Sequence, residues 1–113
     1  MPYISVTIGQ KLSAIQRQKL KTEFGRLITL IPKKTEPDLI VNIQDGGAVY
    51  MGGAEVPCAY IDVRLYGKAP IGAKRKFTKE IFTLLSKDLG IPIEHQYLTI
   101  NECDHWGYDG KWH

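Results

Sequence analysis

The chain has 113 residues, fifteen basic and twelve acidic, with a net charge of +3, 43% hydrophobic residues and 24% charged ones. This length suits one domain spanning 1–113, with a core modest enough for oligomerisation to add stability. The mild charge argues against nucleic acid as a partner, and no apolar run reaches the length of a membrane span.

The chain opens MPYISV. Proline is tolerated at a strand start. It has no amide hydrogen while its nitrogen is acylated, but removal of Met1 would turn that nitrogen into a free secondary amine. Residues 3–8 alternate, with Ile4, Val6 and Ile8 on one face and Tyr3, Ser5 and Thr7 on the other, which predicts a half-buried strand. Ser13 followed by Gln16 fits a capping box, so a helix is expected from about Ala14. Leu20, Phe24, Leu27, Ile28 and Ile31 form its apolar stripe, and Pro32 stops it. Leu39, Val41 and Ile43 alternate as a second strand. Gly46, Gly47, Gly52 and Gly53 then bracket a short AVYM piece and read as turns.

The second half repeats the scheme. Residues 58–66 predict a strand with Ile61, Val63 and Leu65 inward. Residues 72–89 predict a helix carrying Phe77, Ile81, Leu84, Leu85 and Leu89, with Gly90 as its C-cap and Pro92 just beyond. Lys74, Arg75 and Lys76 read as its solvated start. Residues 95–102 predict a fourth strand.

The halves align without a gap. YISV at residue 3 sits over YIDV at residue 60, and DLIVNIQD at residue 38 sits over HQYLTINE at residue 95, at the same offset. This register suggests an internal duplication with pseudo-repeats 2–45 and 58–102. The expected fold is an α/β sandwich of two β-α-β units, each with parallel strands joined by a helical crossover. Both helices cover one face of a four-stranded sheet. The other face carries Ser5, Thr7, Asn42, Asp62, Arg64, Thr99 and Asn101 together with Tyr3, Ile40, Tyr60, Tyr66 and Tyr97. Its aromatics favour association over exposure to water.

Cys58 and Cys103 form neither a CxxC pair nor a disulfide framework, and no signal peptide precedes the first strand. A soluble protein of a reducing compartment is expected. His95, His105 and His113 match no metal-ligand spacing.

MPYISV, GGAEVPCAYIDVRLYGK, GIPIEHQYLTINE and the closing WGYDG together resemble the tautomerase superfamily, and within it the macrophage migration inhibitory factor (MIF) group. The resemblance covers nearly all of the chain. It implies a mixed sheet, a homotrimer with active sites between subunits, and cofactor-independent keto–enol tautomerisation of a small α-keto acid such as phenylpyruvate. Pro2, exposed by loss of Met1, would be the base. A chain-terminal amine has a pKa of about 8 in water, which burial or a nearby cation lowers toward neutrality. The resemblance assigns the substrate carboxylate to a lysine after the first helix: Lys34 by an ungapped match back from the second strand, Lys33 by counting forward from Pro2. It gives Tyr97 the role of reaching into a neighbour's site, and Tyr66 a backbone amide that contacts substrate. Tyr3, Tyr108 and Trp112 would form an aromatic wall.

The chain departs from the pattern in places. Ile61 stands where well-known members have a second cysteine, which speaks for packing rather than redox chemistry at Cys58. Thr99 stands where the family has an asparagine, and the segment before WGYDG is short. Three other outcomes stay open: a hydratase, dehalogenase or decarboxylase, which would need arginine and a water-activating carboxylate near the amine, with Arg64 and Asp62 placed by parity on the sheet face; a non-catalytic signalling or binding protein, with leaderless secretion; and a nucleic-acid module, which the charge disfavours.

Overall fold

The computed structural model describes Met1–His113. Strand β1 runs from Pro2 to Ile8 and alternates buried and half-buried positions along its whole length. Helix α1 (Ala14–Leu27) starts at the capping box: Ser13 Oγ accepts from the Gln16 amide at 3.1 Å, and Gln16 Oε1 accepts from the Ser13 amide at 2.9 Å. A cap of this kind contributes about 1 kcal/mol. The helix ends before Pro32. Ile28–Leu30 tighten into a 3₁₀ turn, and Ile31 is already extended, because the residue ahead of a proline is driven out of the helical region. Ile31 remains buried.

Strand β2 (Ile40–Asp45) leaves Leu39 just outside it, and β3 (Ala59–Tyr66) starts one residue later than its sequence pattern suggests. Helix α2 (Ile71–Leu89) buries Phe77, Ile81 and Leu85. It closes on Gly90 at φ 69°, a left-handed C-cap. Ile93–His95 form a 3₁₀ turn after Pro92, so β4 runs Gln96–Cys103 rather than from His95. A short hairpin, β5 (Gly107–Tyr108) and β6 (Lys111–Trp112), ends the chain.

The sheet order is β2-β1-β3-β4. β1 and β3 pair antiparallel at the centre, with Ser5 opposite Asp62, and each carries a parallel partner outside. Tyr3 pairs with Ile40 and Ala59 with Gln96, so the two parallel pairs are offset equally along the chain. Both helices lie over one face. Ile4, Val6, Ile8, Ile61, Val63 and Leu65 meet Phe24, Phe77 and Ile81 there in one core, all fully buried. No helix covers the opposite face, where Ile40, Tyr60 and Tyr97 are 65%, 47% and 64% exposed. No helix is long and apolar enough to cross a membrane.

Candidate active site

The alternation of β1 buries Pro2 at the end of the strand, opposite Leu65. Met1 precedes it, and the Met1 carbonyl oxygen accepts from the Tyr66 amide at 3.1 Å. Burial, and after it the charge of Lys34, holds the Met1 amine below its ordinary value, while Asp38 acts in the opposite direction.

Lys34 comes from the loop between α1 and β2. Lys33 takes a left-handed φ of 69° and points to solvent, and the chain turns there. Lys34 is half-buried, and its Nζ donates to the Tyr66 carbonyl oxygen at 2.7 Å. Of the two lysines left open by the sequence, the structure brings Lys34 to the Pro2 end of the sheet.

A cavity of about 590 Å³ opens at that end, with Pro2, Tyr3, Asp38, Arg64, Cys103 and the C-terminal hairpin as its walls. The hairpin's turn is Asp109–Gly110, at φ 52° and 73°. Two positive φ values in a two-residue loop suit a tight hairpin, and the Asp-Gly pair is its sequence signal. This turn folds the aromatics back onto β3. The Tyr66 ring stacks on Trp106 at 6.3 Å and meets Tyr108 at 6.1 Å, and Trp112, largely exposed, stacks on His105 at 6.0 Å. Tyr3, Tyr108 and Trp112 therefore share one cavity. The Tyr3 hydroxyl accepts from Asn42 Nδ2 at 3.5 Å, and its pKa is lowered, first by Asn42 and then by Ser5.

Tyr97 and Thr99 are elsewhere. Across the sheet Tyr97 stands beside Tyr60, which pairs with Thr7 at the far end of β1 from Pro2, roughly 16 Å along the strand. The Thr99 hydroxyl and the Tyr60 hydroxyl lie 2.8 Å apart on the uncovered face. One chain does not bring Tyr97 and Pro2 together.

Asp38, Cys103 and Trp106 line the cavity without a site role read from the sequence, and Arg64 enters there only through the hydrating alternative. Parity places Arg64 on the sheet face correctly, but its register partner is Tyr3, and that puts it on the wall of the Pro2 cavity. A second cavity of similar volume lies between α2 and β4 over Phe82, Leu98 and Ile100, remote from Pro2. No group of three or more His, Cys, Asp or Glu side chains is placed to hold a metal ion.

A family model described as macrophage migration inhibitory factor matches residues 1–110. The chain belongs to the MIF family. Solved structures share its fold throughout. MIF2 of Leishmania major superposes with a TM-score of 0.90 at 23% identity, covering 100% of this chain and 97% of that one. The MIF-like protein of Entamoeba histolytica gives 0.86 at 19% identity, covering 99% and 98%. Pt0534, solved after inactivation by 2-oxo-3-pentynoate, gives 0.85 at 14% identity, covering 96% and 93%. No curated protein matches the sequence.

Proposed function

We propose that this MIF-family protein is a keto–enol tautomerase of small α-keto acids, phenylpyruvate among them, and that Pro2 is its general base once Met1 is removed. The observation that carries this reading is a buried Pro2 on the wall of a cavity that also holds Arg64, with Lys34 at the same end of the sheet. Burial and a neighbouring ammonium both favour a neutral amine. Such an amine takes a proton from the carbon next to the keto group, and the electron pair moves onto the carbonyl oxygen. In the reverse direction the ammonium returns the proton to carbon. A base in this position contributes about 10²–10⁴-fold.

Lys34 would hold the substrate carboxylate. The Tyr66 amide, released from the Met1 carbonyl, would donate to a substrate oxygen. Tyr97 of a neighbouring copy would donate to the developing enolate oxygen. The homotrimer implied by the family resemblance would supply that neighbour, and the uncovered face with Ile40, Tyr60 and Tyr97 suits such an association. No cofactor enters these steps. The inactivation of Pt0534 by a 2-oxo acid also supports an α-keto acid as the substrate class.

The test pairs intact mass with a phenylpyruvate ketonisation assay. The Met-free protein is expected to be active. Pro2→Ala should lose about 10²-fold or more, while Pro2→Gly retains part of the rate. A Pro2→Ala variant as fast as the wild type removes the proline from the mechanism. A haloacrylate assayed in parallel separates tautomerisation from hydrating chemistry.

A further inference from the structure

Arg64 lies on the wall of the same cavity as Pro2 and Tyr3. Its guanidinium is held from behind by Asp62, two residues earlier on β3, through one hydrogen bond from Nη2 to Oδ2 at 3.2 Å. A guanidinium has five N–H donors, and this is the one hydrogen bond that the Arg64 side chain makes. The side chain is thus tethered, about half exposed, and has donors left for a ligand. Lys34 reaches the cavity end of β3 at the Tyr66 carbonyl. Tyr66 and Arg64 are two positions apart on that strand, about 6.6 Å. Asp38, also on the wall, disfavours an anion beside itself. Two cationic positions remain, Arg64 on the cavity wall and Lys34 beside Met1 and Tyr66 at the cavity's Pro2 end.

We propose that Arg64 is a specificity-determining residue that binds a second carboxylate, so that the preferred substrates are 2-oxo dicarboxylic acids with the keto-acid end at Lys34 and the distal carboxylate at Arg64. The assignment rests on reading this cavity as the keto-acid site. An arginine forms paired, charge-assisted hydrogen bonds with a carboxylate that a lysine can only partly replace. The pair Asp62–Arg64 fixes where the fork points, which sets the length of dicarboxylate that fits.

The test is a binding titration that needs no turnover. Trp106 and Trp112 line the cavity, so quenching of tryptophan fluorescence reports occupancy. Wild-type protein freed of Met1 is titrated with 2-oxoglutarate and with 2-oxopentanoate, which share a carbon chain and differ in the distal carboxylate. The expected preference for 2-oxoglutarate is about tenfold or more in Kd. Arg64→Gln should abolish that preference with 2-oxopentanoate affinity kept within about twofold, and Arg64→Lys should restore part of it. Equal wild-type affinity for the two acids, or an equal loss for both in Arg64→Gln, overturns the proposal. Discrimination that persists in a protein without ketonisation activity overturns the Pro2 chemistry and leaves Arg64 its role. Activity on phenylpyruvate without discrimination does the reverse.

Discussion

The Tyr66 amide donates to the carbonyl oxygen of Met1 at 3.1 Å. With Met1 in place, the Pro2 nitrogen is an amide, and the donor proposed for substrate is already engaged. Methionine removal changes both at once. It exposes the amine and frees the N–H of Tyr66.

Protein that retains Met1 is therefore expected to be inactive with phenylpyruvate and to bind keto acids weakly, with unchanged folding. Treatment with methionine aminopeptidase should restore the rate in proportion to the mass fraction processed. Full activity in a sample whose intact mass includes Met1 would contradict the base assignment.

Tyr97 sits at the opposite end of the sheet from Pro2, so the proposed site needs two copies. Pro2→Ala and Tyr97→Phe proteins, each slow alone, should regain activity when unfolded together and refolded as mixed oligomers, because some interfaces then combine an intact Pro2 with an intact Tyr97. Tyr97→Phe alone should lose about 10–10²-fold in kcat, a modest share of what an oxyanion donor contributes. Mixtures no faster than the separate variants would place both residues in separate roles.

The Lys34 charge lowers the pKa of the Met1 amine, second to burial, and the same cation should act on the Pro2 amine once Met1 is gone. The neutral Pro2 amine is the proposed active form, so activity should fall as pH drops through its pKa. Lys34→Ala removes one lowering contribution and raises that pKa. The acid limb of the kcat profile should move to higher pH, and KM for the carboxylate should rise. Lys33→Ala, at an exposed position, should leave both nearly unchanged. A profile that stays in place in Lys34→Ala would separate the lysine from the base.

Gly110 holds φ 73° in the turn that folds the aromatic hairpin over the cavity. Side chains other than glycine pay about 1–2 kcal/mol in that region. Gly110→Ala should loosen β5 and β6, raise KM for phenylpyruvate several-fold and leave the global melting temperature within a few degrees, since the hairpin lies outside the core. Hydrogen exchange at the His113 amide, which donates to the Trp106 carbonyl at 2.9 Å, would register the loosening.

Much of the fold was legible because the signals are local and repeated. Ile4, Val6 and Ile8 alternate, Ser13 and Gln16 cap each other, and Gly90 ends α2, each within a few residues. The hairpin at Asp109–Gly110 carried an equally local signal, but its strands are two residues each, too short for alternation to register. The site was legible only in part. Parity says which face Arg64 occupies and nothing of its neighbours; the antiparallel register with β1 sets it beside Tyr3. Which of Lys33 and Lys34 reaches the Pro2 end of the sheet turned on one left-handed residue, which a lysine does not advertise. Cys103 reaches the cavity through the parallel register that sets it beside Tyr66, and Trp106 through the return of the chain after β4, both long-range events without a short-range cue.

The two thiols differ in a useful way. Cys58 is buried at 5% exposure, whereas Cys103 is half-buried on the cavity wall, and neither is in a disulfide. The molecule thus carries its own chemical footprint. A bulky maleimide will mark position 103 and spare 58, and whatever compound fills the space beside it will slow that labelling, which turns a fishing expedition for unknown metabolites into a simple race between reagent and guest.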